Sequence, residues 1–376
     1  MKNIMQKKSV AGSGSSSTAL SMGLVCCCQL DKKSSQFCFL RIGNRDGISI
    51  NHQLSFSTHD HVRFVSSCNG LLLLISGKKK RFIYHVFNPL TRENFSLPQA
   101  CVTGTVLRSG LAVDEHQNYQ VVLLHGSAGL ELDVFSSETG KWKRQKPINL
   151  FLPLPVKDMF PKLTAPPLFS NGAIHWEILG HLLIYNVHNY HCKLIELPCV
   201  NDKCSWKSKM NFRGSLWESE GRVHYSYTDT DGVHAWYLLN EHDLDYYSKY
   251  NNIDCEKFNW GLADSFDLQT LRKNYPEMFQ HWTKWKPGYL SSFAYNESSQ
   301  TMYMQLPGLV ISYNRKTGAL EEVCSFKLPG KDFNHCSFFP FVYGNGEYSL
   351  EIINATSEEK TVVKLPTTEV VSSLSF

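Results

Sequence analysis

Hairpin turns recur along this chain at a nearly constant step, and that spacing restricts the fold more than any other feature. Val62–Val65 and Leu71–Ile75 flank Ser67-Cys68-Asn69-Gly70, Pro167–Phe169 and Ala173–Ile178 flank Ser170-Asn171-Gly172, and Phe338–Tyr343 and Glu347–Ile353 flank Gly344-Asn345-Gly346. Asn-Gly between apolar runs is a strong hairpin signal, because a type I′ turn needs positive φ at both central residues. Similar apolar pairs surround His116, Glu220 and Glu297. Between turn centres 69, 116, 171, 220, 297 and 345 the steps are 47, 55, 49, 77 and 48 residues. A second hairpin recurs too, turning at Phe87-Asn88-Pro89-Leu90-Thr91-Arg92, Phe135–Gly140, Tyr185–Asn189 and Tyr313–Gly318, with Tyr237–Asp245 as a weaker fifth copy. Two hairpins in about forty to fifty residues are the signature of a four-stranded propeller blade.

The long step contains Leu244–Pro287, where the strand pattern breaks. Leu268, Leu271, Tyr275 and Phe279 recur at helical spacing, which predicts a helix over Phe266–Phe279. Removing an insertion of about 28 residues restores the common step. Met22–Gln29 and Gln36–Ile42 form one more strand pair, expected to join the C-terminal strands in one blade and close the ring. Val223, Tyr225 and Tyr227 alternate with His224, Ser226 and Thr228, as on a strand with one wetter face, whereas Gln120–Leu124 reads as an inner strand buried on both faces. The predicted fold is therefore an all-β propeller of about seven four-stranded blades, with six and eight as alternatives and a partly helical insertion near 244–287. Residues 1–20 are Ser/Gly-rich and read as a flexible tail ahead of a propeller domain at 21–376.

Composition agrees. Aromatics make up 12% of the chain, and the charged fraction of 19% is low, which disfavours a disordered chain or a coiled coil. A net charge of +4 gives no strong pull toward nucleic acid or an anionic membrane, so neither is an expected partner. No apolar run reaches the length of a membrane-spanning helix. The twelve cysteines lie mostly in apolar strand-like runs without a CxxC, and read as buried thiols in a reducing compartment, cytoplasmic and/or nuclear. Ala19–Cys28 is too interrupted by polar sequence upstream to read as a signal peptide. Lys78-Lys79-Lys80-Arg81 reads as a solvated hairpin loop, with a nuclear import signal as the alternative.

There is neither a Gly-Gly doublet nor a Trp-Asp dipeptide, which argues against kelch and WD-type blades. Ser67-Cys68-Asn69-Gly70-Leu71-Leu72-Leu73-Leu74 stands instead, followed by Asn88-Pro89-Leu90-Thr91-Arg92 and Leu97-Pro98. This pair resembles the hallmark of plant F-box-associated domains. Gly110-Leu111-Ala112-Val113-Asp114 matches the family's next element in part, without its first glycine, and Tyr313–Gly318 resembles a later one. The resemblance covers about residues 21–376. It implies the substrate-recognition part of an SCF ubiquitin ligase, holding an unknown target protein. The family's F-box, which docks a Skp-type adaptor and through it a cullin, has no counterpart here: few residues precede the repeats, and only Leu20 among them is a leucine. Adaptor and cullin are thus expected partners only if an F-box lies upstream. An interaction protein acting outside the ligase is the first alternative. Physically, Cys68, Asn69, Gly70, Asn88, Pro89, Thr91 and Arg92 serve as scaffold: Asn-Gly makes the turn, Pro89 ends ladder donation, and Thr91-Arg92 starts the return strand.

Tests for chemistry point away from catalysis. GxSxG, Walker A, GxGxxG and HExxH are all missing, and Ser127 has the wrong spacing for a nucleophile elbow. Asp229-Thr230-Asp231-Gly232 begins like a calcium loop but meets Asn240 where a carboxylate is needed. His59 and His61, and His188, His191 and Cys192, are the densest groups of metal-ligand types, and both read as polar turns. The chain is expected to have no catalytic residue, no metal and no cofactor; a glycan-binding propeller or a propeller enzyme is the second alternative. The candidate partner-binding residues are Trp282, Lys284, Trp285 and Lys286, aromatics with basic neighbours, beside Trp260 and Tyr289.

Overall fold

The computed structural model describes residues 21–29, 35–42, 48–54, 62–78, 81–89, 91, 93–102, 104–126, 130–145, 166–178, 180–198, 214–219, 221–229, 232–239, 259–279, 290–296, 300–306, 309–325 and 336–343. The expected tail at 1–20 lies outside them. Five blades are contiguous in sequence, each a four-stranded antiparallel sheet. The first comprises β4 (Arg63–Cys68), β5 (Leu71–Lys78), β6 (Arg81–Phe87) and β7 (Asn94–Ser96). The second comprises β8 (Thr105–Val113), β9 (Tyr119–Gly126), β10 (Leu130–Ser136) and β11 (Lys141–Arg144). The third comprises β12 (Leu168–Ser170), β13 (Ala173–Ile178), β14 (His181–Asn186) and β15 (Cys192–Glu196). The fourth comprises β16 (Gly214–Ser219), β17 (Arg222–Thr228), β18 (Gly232–Leu238) and β19 (Trp260–Asp267), and the fifth β20 (Ser291–Asn296), β21 (Thr301–Leu306), β22 (Leu309–Asn314) and β23 (Leu320–Ser325).

A closing sheet is assembled from both ends of the chain. It runs from β24 (Cys336–Tyr343) through β1 (Ser21–Gln29) and β2 (Ser35–Ile42) to β3 (Ile48–Leu54). The inner strands β24, β4, β8, β12, β16 and β20 each touch the next, so the ring is closed. Six blades therefore stand among the described residues, not the expected seven. The N-terminal strands complete the C-terminal blade, as anticipated, and a pair that completes a blade adds none.

The region 244–287 also needs correction. Trp260–Asp267 is the outer strand of the fourth blade, paired with β18 across a bulge at Ala235/Trp236. The stretch is thus not one inserted block. Among the described residues of this stretch, helix is confined to α1 (Leu268–Asn274) and α2 (Pro276–Phe279). Asp267 caps α1 by accepting hydrogen bonds from the backbone N–H groups of Gln269 and Thr270. Leu268, Leu271 and Phe279 are buried with Trp217, Leu290 and Met304, so both helices pack in the seam between the fourth and fifth blades.

Burial falls from the middle strands outward. β9, β13 and β17 are almost wholly buried, while β7 and β11 carry no buried residue. His224, Ser226 and Thr228 are as buried as Val223, Tyr225 and Tyr227, so the expected wetter face of β17 does not exist; neighbouring blades cover both sides. The core lies between blades. Leu73 and Leu123 pack between the first and second, and Val122 and Trp176 between the second and third. Gly110 is needed at that second seam: a Cβ there would stand 2.8 Å from Ile174 Cγ2 and 3.2 Å from the Trp176 ring. The Trp176 indole donates to the Ser109 carbonyl at 3.1 Å, satisfying a buried polar group across the same seam. Fourth-strand tryptophans tie outer edges together: Trp142 donates to Pro98 O at 2.7 Å and Trp260 to Glu196 O at 2.9 Å.

Candidate functional site: the turn face of the ring

The turns between first and second strands and those between third and fourth strands all lie at one end of the ring. Asn69 and Gly70 have φ of 40° and 83°, the positive pair that a type I′ turn requires. The Asn69 side chain does more than turn the chain. Its amide donates to Val113 O of the next blade at 3.0 Å, and Asn171 likewise donates to Gly221 O at 2.9 Å. Ser219 Oγ continues the series by donating to Tyr295 O at 3.2 Å. The first turns are therefore stitched blade to blade, which the turn signal alone did not reveal.

The rest of the predicted family motif is scaffold as well. Burial pushes the Cys68 thiol up to about 12, against a hydrogen bond with Val113, so it stays protonated at neutral pH. Asn88 Oδ1 accepts from the Thr91 backbone N–H at 3.2 Å, the Asn88 N–H donates to Glu93 O at 2.9 Å, and Pro89 is buried between them. Arg92 lies outside the described residues.

The second turns reveal an anomaly. In the second and fifth blades the residue whose N–H returns to the turn's first carbonyl is a glycine, Gly140 or Gly318, with φ of 65° and 69°. In the third blade that residue is Tyr190, with φ of 61°, and its side chain is 47% exposed. A bulky residue in the left-handed region costs about 1–2 kcal/mol. His188, Asn189 and His191 are exposed around it, and Asn186 Oδ1 holds the turn by accepting from the His188 and Asn189 N–H groups. The sequence signal was available: an aromatic stands where two sister turns place glycine.

Trp282, Lys284, Trp285 and Lys286 lie outside the described residues, as do Tyr289, His59, His61, Ser127 and Asn240. Among the described residues no group of three or more His, Cys, Asp and Glu converges as metal ligands do. Asp229 and Gly232 close a turn on each other: the Gly232 N–H donates to Asp229 Oδ1, and the Asp229 N–H to Gly232 O.

Polar side chains that sequence reasoning missed lie inside the blades. His85 sits between Ser76 Oγ at 2.7 Å and Ser96 Oγ at 3.0 Å, and burial lowers its pKa from the ordinary value. Asp133 receives Arg144 Nε at 2.9 Å and lies 3.3 Å from His125 Nε2. His234 contacts Ser265 Oγ at 2.8 Å and Asp229 Oδ1 at 3.3 Å. Each relay crosses the second, third and fourth strands of one blade. A further charged junction joins three blades. Arg108 Nε donates to Glu177 O at 3.1 Å, and burial, then the Glu177 charge, raises the Tyr225 phenol well above its usual range. These groups bind strands and blades to one another.

Comparison with known proteins identifies the ring. The family model described as F-box protein At3g26010-like, beta-propeller, matches residues 44–278, from just before β3 through most of α2. The chain belongs to that family. No curated protein matches it. Two solved structures are similar to it: a functionally unknown protein from Desulfotomaculum acetoxidans DSM 771 and a candidate 6-phosphogluconolactonase from Bacteroides uniformis ATCC 8492. The first is 10% identical with a TM-score of 0.39, covering 82% of this chain and 80% of its own. The second is 8% identical with a TM-score of 0.39, covering 84% of each chain.

Proposed function

We propose that this propeller is a non-enzymatic substrate-recognition module of an SCF-type ubiquitin ligase, working in the cytoplasm and/or nucleus. Its family membership carries the reading, because the matched family is that of an F-box protein's propeller. The mechanism is binding alone, without metal or cofactor. The stitched turns make one end of the ring a rigid platform, and rigid platforms lose little entropy on binding. Tyr190 is the contact residue of choice: exposed aromatics anchor protein interfaces, and backbone strain is retained where it serves a function. His188 and His191 frame it as adaptable polar contacts.

The test is target turnover. The tagged chain is expressed in its source cells, and the proteins that co-purify with it are identified. A genuine target co-purifies with the wild-type chain, is lost from Tyr190→Gly, and is degraded faster by the proteasome when the wild-type chain is abundant. A bound protein whose half-life ignores the chain would contradict the ligase role. Hydrolysis of a small substrate by the purified chain would contradict the non-enzymatic one.

A further inference from the structure

The relay of the fourth blade has a composition that its counterparts lack. Of the three described relays, it alone puts a hydroxyl, an imidazole and a carboxylate in line. His234 Nδ1 lies 2.8 Å from Ser265 Oγ, and His234 Nε2 lies 3.3 Å from Asp229 Oδ1. In the first blade Ser76 stands where Asp229 does, and in the second Arg144 stands where Ser265 does. Local structure sets the geometry. Asp229 and Gly232 close the turn between β17 and β18, and the Gly232 N–H donates to Asp229 Oδ1 at 2.9 Å. His234 stands two residues further on, directly opposite Ser265 of the outer strand β19. The Tyr227 and Trp236 rings lie beside its imidazole, at centroid distances of 5.5 and 6.0 Å. Burial is graded along the line: His234 is 6% exposed, whereas Ser265 faces solvent at the edge of the blade.

A nucleophile within hydrogen-bond reach of a base, itself oriented by a third group, is the general arrangement of an activated hydroxyl. Which imidazole nitrogen carries the proton follows from the partner of each. A carboxylate only accepts, so in the neutral ring Asp229 places the proton on Nε2 and leaves the Nδ1 lone pair for the Ser265 O–H. We propose that Ser265 is an acyl acceptor, a site of covalent acylation by thioesters and other activated esters, with His234 as the base and Asp229 as a positioning residue.

Ser265 Oγ attacks the carbonyl carbon of the thioester, and its proton passes to His234 Nδ1. The carbon–sulfur bond of the tetrahedral adduct then breaks, and the departing thiolate takes that proton. One oxygen ester forms, one thiol is released, and nothing is oxidised or reduced. The reaction ends there. The Ser265 N–H, a donor of the kind a hydrolase turns on the oxyanion, donates instead to Asp264 Oδ1 at 2.9 Å. The site thus takes one acyl group without turning over, in keeping with a module that works by binding. The ester also lacks the hydroxyl proton that His234 accepts, so acylation breaks a side-chain link between β18 and β19.

The test incubates the full chain with p-nitrophenyl acetate and follows the acetyl group by mass spectrometry of the peptides that contain Ser265 and Ser96. Ser96 is the internal control, an exposed serine on buried His85 without the carboxylate. Ser265 should be acetylated at least about tenfold faster than Ser96. His234→Gln should slow Ser265 about a hundredfold and Asp229→Asn about tenfold, with the Ser96 rate unchanged in both. S-phenyl thioacetate should label the same residue. Equal rates at Ser265 and Ser96, or a Ser265 rate that ignores His234→Gln, would overturn the proposal. So would nitrophenolate release beyond one equivalent that Ser265→Ala abolishes, since that marks a hydrolase. Should either relay variant fail to fold, the ratio of the two serines in the unaltered chain still decides it.

Discussion

The first, second and fourth blades differ from the third and fifth at one equivalent place. In the first three, the third strand carries His85, Asp133 or His234. Each is directly opposite its fourth-strand partner, Ser96, Arg144 or Ser265. The second-strand partner stands two positions beyond the residue directly opposite, giving Ser76, His125 and Asp229. In the third blade the same three positions hold Ile178, Leu183 and Leu194, and in the fifth Leu306, Ile311 and Glu322. One backbone geometry thus accepts a relay of polar side chains or a set that is apolar on the second and third strands. The relay fixes register, because a slip would leave buried polar groups unpaired. The apolar pairs, Ile178 with Leu183 and Leu306 with Ile311, are bound by transfer and packing.

The sharpest way to break the comparison is Asp133→Ala, which removes the carboxylate between buried His125 and Arg144. It should cost about 3 kcal/mol in denaturant unfolding. Replacing the trio together, as His125→Ile, Asp133→Leu and Arg144→Leu, should recover most of that loss, since the third blade tolerates such a set. A triple variant as unstable as Asp133→Ala would show that the positions are not equivalent.

Acid tests the same distinction. Burial holds His175 of the third blade at about 4, and burial also lowers His85 of the first. As pH falls below the unfolded value of about 6.5, the unfolded chain takes up protons that the folded chain refuses. Stability from His175 is complete above that value and is lost toward about pH 4, by up to about 3 kcal/mol. His175→Gln should flatten that part of the profile, and an unchanged slope would remove His175 as its cause. His85→Leu is the smaller perturbation, about 1–2 kcal/mol, because it leaves Ser76 without its partner while Ser96 is exposed to water. Pairing it with Ser76→Ala should recover most of the loss.

Much of the ring was legible in the chain because its signals are local. Asn69-Gly70 and Asn171-Gly172 announce their turns by residue type, and the fifty-residue step announces blades. The helical spacing of Leu268 and Leu271 was likewise readable. What was not legible depends on distant pairing. The blade count of seven is one too high even though the pairing of Met22–Gln29 with the C-terminal strands is anticipated, because a pair that completes a blade adds none. Trp260–Asp267 was passed over as a strand because its burial is only partial and lacks an apolar alternation. The relays are set by cross-strand register, which no single strand displays. Tyr190 needed comparison between blades: alone it is one more aromatic, and beside Gly140 and Gly318 it is an exception.

That exception also offers the most direct measurement of what the ring is for. Tyr190→Gly should relieve the left-handed backbone and raise stability by about 1 kcal/mol, while weakening binding of the co-purified target at least tenfold. A more stable protein that binds less well is the predicted result. A variant that binds its target as tightly as the wild-type chain would contradict the account.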